Sequence, residues 1–374
     1  MTPTPPLREI VIVASSGCNQ HCSYCWIRGH AEMSPPWPTV AAAADKLLAS
    51  PLRSVWVSFT GGEPLQAFPL VRTTVEYISS HRRADKRVRY KLLTNGLLLD
   101  REILCFLAKH RFDVQVSLDG SRGVNDRRSP RSFDLLADLF ATLRRGCPRY
   151  LARHVSIAAT VTPETVGRLA DSVSQLMASG AGTISINAAM GVGTRHVSMA
   201  DLNGQLERIA HTVLLHYGRT QHVPFAPFRK GISRGRTPER GPWFCAAPTN
   251  RSLTIDADGT SAACLMATRT YAPAPPRVLQ PAVNALRRLH LNEPISDENG
   301  VAGLGVFRSR VRRYSSWGSC ENCRWKHDCR ICPLSAVMEH DWADSLRIPD
   351  FLCEFNRALF EQRDRFPPQR TPTP

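Results

Sequence analysis

Long apolar runs are missing from this 374-residue chain. None reaches the roughly 18 residues that a membrane helix needs, so a helical membrane span is excluded. A secretory signal is missing too. The start, MTPTPPLRE, has no basic region followed by an apolar stretch, and a cytoplasmic location is expected. Acidic side chains are the scarcer sign: 32 Asp and Glu stand against 48 Lys and Arg, a net charge of +16. Such a surplus draws acidic partners, whether nucleic acid, anionic lipid or acidic peptide. The arginines are scattered, however, and the aromatic–basic interleaving of a nucleic-acid platform is absent, so nucleic acid is not an expected partner. No internal repeat is present.

The apolar fraction, 43%, is that of an ordinary globular protein. The length suits roughly two or three domains of about 150 residues. Such a chain buries a core without disulfides. Twelve cysteines in a reducing compartment therefore point to metal or redox chemistry.

Both ends, MTPTPP and FPPQRTPTP, are Pro/Thr-rich, and residues 1–7 and 363–374 are expected to be disordered. Over residues 8–225 β-branched runs alternate with helical periodicity. Strands are predicted at Glu9–Ala14, Ser54–Phe59, Arg89–Leu93, Asp113–Leu118, His154–Val161 and Thr183–Asn187. Between them, Ser132 is the predicted cap of a helix ended by Gly146, and Thr162 that of a helix ended by Gly180. A third helix, from Ser198, buries Leu202, Leu206, Ile209 and Val213. Six strands with intervening helices imply right-handed βαβ units, closing as a partial (β/α)6 TIM-type barrel or lying open as a doubly wound sheet. Either way the chemistry belongs at the C-terminal ends of the strands. Residues 226–240 read as a linker, and 241–362 as a small Cys-rich, metal-supported domain.

The stretch SSGCNQHCSYCWIRG places Cys18, Cys22 and Cys25 directly after the first strand, spaced C-x3-C-x2-C. Two thiols would suffice for a disulfide, and a closed zinc site wants four ligands. Three thiolates on a four-iron cluster leave one iron open. With Tyr24 in the aromatic place, the loop resembles the CxxxCx(aromatic)C signature of the radical S-adenosylmethionine (SAM) superfamily. Further motifs follow in that family's order: FTGGEPL, LLTNGLLLD, QVSLDGS and VNDRRSPR. The resemblance implies that Cys18, Cys22 and Cys25 hold the cluster that cleaves SAM to a 5′-deoxyadenosyl radical. It also implies that Gly61, Gly62, Glu63, Asn95, Ser117, Arg128 and Asn187 contact SAM, as does Tyr24. Arg128 is preferred for the SAM carboxylate over Arg127 and Arg131, and Asn125 replaces the family's His.

The later cysteines, Cys245, Cys264, Cys320, Cys323, Cys329, Cys332 and Cys353, resemble the SPASM extension of this superfamily. That resemblance implies two auxiliary clusters, so three 4Fe–4S clusters in all. The outer one falls to Cys320, Cys323, Cys329 and Cys353, and the inner one to Cys245, Cys264 and Cys332. A structural zinc domain is the competing reading, since C-x2-C pairs are common in zinc ribbons. Cys105 and Cys147 read as buried, inert thiols, with either one as the alternative fourth ligand of the inner cluster. Asp256 and Asp258 read as hairpin-turn residues.

The resemblance implies a maturase that crosslinks a ribosomally made precursor peptide through a carbon–carbon or thioether/ether bond. A flavodoxin- or ferredoxin-type protein would supply electrons. About eight residues precede the first strand, so a separate leader-binding protein is an expected partner. Sulfatase-type formylglycine formation, peptide epimerisation and sugar dehydrogenation are the alternatives within the superfamily. Leu265 stands where sulfatase maturases carry an Asp base. A non-catalytic zinc or iron–sulfur nucleic-acid-binding protein is the alternative outside it.

Overall fold

The computed structural model describes residues 6–25, 27, 31–189, 197–229, 251–272, 280–287, 323–325, 329 and 350–367. Six parallel strands form its centre: β1 (Glu9–Ser15), β2 (Ser54–Gly61), β3 (Arg87–Thr94), β4 (Asp113–Ser117), β5 (Val155–Val161) and β6 (Thr183–Ala188). Helices separate them: α1 (Trp37–Ala49), α2 (Phe68–His81), α3 (Arg101–Lys109), the short α4 (Arg122–Asn125), α5 (Ser132–Gly146), α6 (Pro148–His154), α7 (Leu169–Ala178) and, after β6, α8 (Met199–Thr220).

The strands lie side by side in chain order, β6-β5-β4-β3-β2-β1. A doubly wound sheet reverses its order at a switch point. An unreversed order with right-handed crossovers puts the connecting helices on one face. This is the winding of a partial (β/α)6 barrel, and it decides between the two architectures the sequence allows. The strands read as β-branched runs because both faces are covered: Ile10, Ile12, Val13 and Ala14 of β1 are all buried.

Two further strands were not expected in this sheet. The hairpin of β7 (Ser252–Ile255) and β8 (Ser261–Ala262) pairs as predicted around DADG. β7 also runs parallel to β1, with Glu9 opposite Ser252 and Ile12 opposite Ile255. The hairpin thus extends the barrel sheet past β1. At the other edge, Phe225 bridges to Ile184 beside β6, and Arg229 donates to Gly182 O (2.6 Å) and Thr183 Oγ1 (3.1 Å). Phe228 is fully buried there, so ordered chain continues past 225, where a linker is predicted. Among the described residues, the C-terminal helices are α9 (Gln280–Arg287) and α10 (Asp350–Arg365). α10 packs on α8, and Phe366 stacks on Phe228 at 4.9 Å. That packing carries order past 363, the predicted start of a disordered tail.

Local chemistry corrects one cap and the first turn of one helix. Ser132 is the first residue of α5 rather than its cap. Its hydroxyl accepts from Asn125 Nδ2 (2.8 Å), and Asp126 Oδ1 instead accepts from the Phe133 N–H (3.1 Å). The helix predicted after Thr162 is a 3-10 turn, Pro163–Arg168, that gives way to α7. Thr162 does cap it, through a reciprocal box with Thr165. Cys105, expected to be buried, is exposed on α3, while Cys147 is half-buried against the core.

Candidate functional site

The loop after β1 carries the three cysteines across the C-terminal end of the sheet. The register between β1 and β2 slips between Val13 and Ser15, just before that loop. The paired glycines at the end of β2 explain how the loop is seated. Gly62 N–H donates to Ser15 O (2.8 Å), and Glu63 N–H donates to Gly17 O (2.8 Å). A Cβ on Gly61 would lie 2.1 Å from Ser15 O, and one on Gly62 the same distance from Gly17 O. Gly61 also has a φ of +139°. The close approach that these glycines permit is to the backbone of the cysteine loop itself.

Glu63 is fully buried. Its carboxylate accepts from Leu65 N (3.0 Å), Thr94 Oγ1 (2.7 Å) and Asn95 N (2.7 Å). Burial pushes its pKa up, and these three donors pull it back. Glu63 therefore braces the end of β2 to the end of β3. Asn95 reaches the cysteine loop: Nδ2 donates to Asn19 Oδ1 (2.6 Å) and lies 3.8 Å from Cys18 Sγ.

Arg128 lies under the same loop, buried. Its Nη1 pairs with Asp119 Oδ1 (3.0 Å) and donates to the Tyr24 hydroxyl (2.6 Å), and its Nε donates to Gln20 Oε1 (3.4 Å). Tyr24 in turn donates to Asp119 Oδ2. The residue chosen for the SAM carboxylate thus has a carboxylate partner within the chain. Burial opposes the Arg128 charge, and Asp119, Tyr24 and Cys22 outweigh that and raise its pKa. Asn125, in the place of the family's His, accepts from the Asp119 N–H (3.0 Å). Ser117 ends β4, half-buried, and Asn187 is exposed near the end of β6, across from Thr160.

The thiols answer to this surrounding. Burial pushes Cys22 up to about 11, while Arg128 draws it down; burial also raises Cys18. Among the described residues, no three His, Cys, Asp or Glu side chains converge on a point that one ion could fill. A four-iron cube takes its thiolates at separate corners, so a spread triad suits it. The donor set fits as well: three thiols from one loop, an amide of Asn95 near one of them, and a buried donor, Gln20 Nε2, that lacks an acceptor among the described residues.

One functional candidate, Tyr271, escaped the sequence reading, and a second, Asp256, reads there only as a turn residue. Tyr271, beyond the β7–β8 hairpin, lays its hydroxyl between Thr60 Oγ1 (3.3 Å) and Gly61 O (3.4 Å), near Cys25. Asp256 fixes that segment. Its buried carboxylate accepts from Ala257 N (2.8 Å), Arg269 N (2.7 Å), Thr270 N (3.1 Å) and Thr270 Oγ1 (2.5 Å). It does more than make the turn, as predicted for it; Asp258 keeps that role, accepting from Thr260 N (2.9 Å). No motif or periodicity marks a lone Tyr after a hairpin. Of the later cysteines, Cys264, Cys323, Cys329 and Cys353 are half-buried, and the first and last two pack against the core. Cys245, Cys320 and Cys332 lie outside the described residues.

Among known proteins, the chain is 25% identical over 187 residues to an uncharacterized protein of Methanocaldococcus jannaschii, covering 48% of this chain and 62% of that one. It is 28% identical over 131 residues to the cysteine-type anaerobic sulfatase-maturating enzyme of Clostridium perfringens, covering 33% and 35%. The chain thus spans less than two thirds of these curated relatives. The solved structure of native anSMEcpe with bound AdoMet and Cp18Cys peptide aligns over 96% of this chain and 97% of its own, with a TM-score of 0.71 at 17% identity, a likeness of fold. No helix among the described residues is long and apolar enough to cross a membrane. Residues 12–176, which hold the three cysteines, the paired glycines, Asn95 and Arg128, match the family model of the radical SAM superfamily.

Proposed function

We propose that this chain is a radical SAM/SPASM maturase that acts on a precursor peptide. One observation carries the reading: the cysteine loop, the paired glycines, Asn95 and Arg128 meet at the C-terminal ends of successive strands and are fastened to one another. Cys18, Cys22 and Cys25 would hold a 4Fe–4S cluster, which when bound supplies the electron that cleaves SAM. The chain's own residues seat the cluster loop and surround it with fixed donors. Tyr24, Gly61, Gly62, Glu63, Asn95, Ser117, Arg128 and Asn187 belong to the SAM site or its support. Cys245, Cys264, Cys320, Cys323, Cys329, Cys332 and Cys353 would hold two auxiliary clusters.

The substrate class rests on likeness. The anSMEcpe structure that aligns over nearly the whole chain has AdoMet and a peptide bound. Crosslinking of a peptide side chain, carbon–carbon or to a heteroatom, is the preferred outcome. Oxidation of the sulfatase-maturase kind is the second reading, favoured by that same likeness. Leu265 weighs against it, because a leucine cannot take a proton where those enzymes carry an Asp base. A flavodoxin- or ferredoxin-type donor and a separate leader-binding protein complete the proposed partners.

Anaerobic reconstitution tests the proposal. The full chain should bind roughly twelve irons and absorb near about 400 nm, as thiolate-held clusters do. With dithionite it should release methionine and 5′-deoxyadenosine from SAM, and the Cys18→Ala/Cys22→Ala/Cys25→Ala variant should not. Stoichiometric zinc without SAM cleavage would sink the reading. Mass spectrometry of a co-expressed peptide then separates the outcomes: loss of two hydrogens without methyl or solvent deuterium gain marks a crosslink, and an aldehyde at Cys or Ser marks the sulfatase type.

A further inference from the structure

Gln20 stands in the cysteine loop, two residues after Cys18 and two before Cys22, and is only 6% exposed. Its backbone N–H donates to Cys18 Sγ (3.4 Å). Its side-chain oxygen, Oε1, accepts from Arg128 Nε (3.4 Å) and lies 3.8 Å from Cys22 Sγ, which donates to it. Two donors at one end of an amide fix which end is oxygen. Arg128 cannot turn its Nε–H away, because Asp119 and Tyr24 hold the same guanidinium by Nη1. The other end of the amide, Nε2, is therefore a donor. It is buried and has no hydrogen-bond partner among the described residues.

Unmade buried donors are rare in native proteins, and each asks for an acceptor. This one lies within the span of a single amide from an oxygen already beside Cys22 Sγ. When iron binds, Cys22 loses its proton and ceases to donate to Oε1, while Arg128 still holds that oxygen. The acceptors that cluster binding would bring to this loop are sulfurs, thiolate or bridging sulfide.

We propose that Gln20 is a positioning residue for the cluster bound by Cys18, Cys22 and Cys25: its Nε2 donates an N–H···S hydrogen bond to that cluster, and the Asp119–Arg128 pair locks the amide in the donating orientation. The inference rests on the radical SAM reading. Hydrogen bonds to cluster sulfur favour the more negative, reduced state, so Gln20 raises the cluster's reduction potential.

The test uses the full chain, reconstituted anaerobically and reduced, with 15N-glutamine incorporated and SAM left out. Pulsed electron paramagnetic resonance should detect a 15N coupling and an exchangeable proton on the N-terminal cluster. Both should vanish in Gln20→Glu. The midpoint potential of Gln20→Leu, titrated without SAM, should shift to a more negative value at full iron content. A wild-type cluster with no 15N coupling overturns the proposal, as does an unshifted Gln20→Leu potential. A coupling that appears only once SAM is added overturns it in favour of a contact to the cosubstrate. If Gln20→Leu fails to load iron, the wild-type coupling decides alone. Two outcomes separate the levels. If the Cys18→Ala/Cys22→Ala/Cys25→Ala variant keeps the same signal and iron content, the coupling belongs to another cluster and the role of Gln20 falls; if the loaded wild-type chain shows the coupling yet leaves SAM uncleaved, the radical SAM reading falls and the role of Gln20 stands.

Discussion

Arg128 and Asp119 form a buried ion pair, Nη1 to Oδ1 3.0 Å, beneath the loop that carries Cys22. The pair is closed by Tyr24, which accepts from the guanidinium and donates to the carboxylate. Removing one member leaves the other charged and dry. Asp119→Ala is expected to cost about 3–5 kcal/mol, the usual penalty for stranding a buried charge. Tyr24→Phe, which removes only a hydroxyl, should cost about 1–3 kcal/mol. Urea unfolding of the apo chain measures both. If the order is reversed, Arg128 is not held by Asp119.

Gly61 and Gly146 make opposite predictions for the same change. An alanine methyl at Gly61 meets Ser15 O at 2.1 Å from a backbone with φ +139°. The rigid strand end cannot yield, so Gly61→Ala should lose about 3–5 kcal/mol and much of the cluster loading. Gly146 closes α5 with nothing within 4 Å of the added carbon. Gly146→Ala should therefore be neutral or stabilise by up to about 1 kcal/mol. Paired melting curves and iron assays check the contrast.

Tyr271 should act as a neutral donor across the working pH range. Burial pushes its phenol from the ordinary 10 to about 12. The raised value means that the folded state prefers the protonated form. Its contribution to stability is whole below pH 10 and is lost as pH climbs from 10 through about 12. Tyr271→Phe should flatten that alkaline loss and leave the profile below pH 9 unchanged, since both side chains are neutral there. It should also weaken SAM binding by roughly tenfold, the worth of one hydrogen bond. Alkaline unfolding titrations and equilibrium binding of SAM provide the readouts. An unaltered alkaline limb would remove Tyr271 from the strand-end site.

The six parallel strands were legible because each is a β-branched run bounded by helix periodicity, and that signal is local. So was the cysteine loop, whose three thiols sit within eight residues. What escaped is non-local. Asn125 was visible as a departure from the family pattern. That its amide bonds both Asp119 N–H and Ser132 Oγ depends on a tertiary turn. The same turn let Asp126 displace Ser132 as cap of α5. β7 gave a hairpin signal with β8, but nothing in SLTI announces a parallel partner 243 residues earlier in chain order, at Glu9. Glu63 and Arg128 read as ligand-facing because motifs record position. Their partners, Thr94 and Asp119, emerge only when strand ends are brought side by side.

Asp256 offers a last test, of coupling rather than of a single residue. Its two carboxylate oxygens take four donors, three of them from Arg269 and Thr270, immediately before Tyr271. A carboxylate can satisfy them all because it only accepts. In Asp256→Asn one oxygen becomes an amide NH2 that must face an N–H donor or displace it. That clash and the unmet donor should cost about 1–3 kcal/mol of stability. The loop would also release Tyr271, so SAM affinity should fall by roughly the same factor as in Tyr271→Phe, though Asp256 itself lies away from the strand ends. The double variant, measured by equilibrium SAM binding, should then be no weaker than Tyr271→Phe alone. If the two losses instead multiply, Asp256 acts on the site by a route other than Tyr271, and the loop is not the lever that sets the hydroxyl against Gly61.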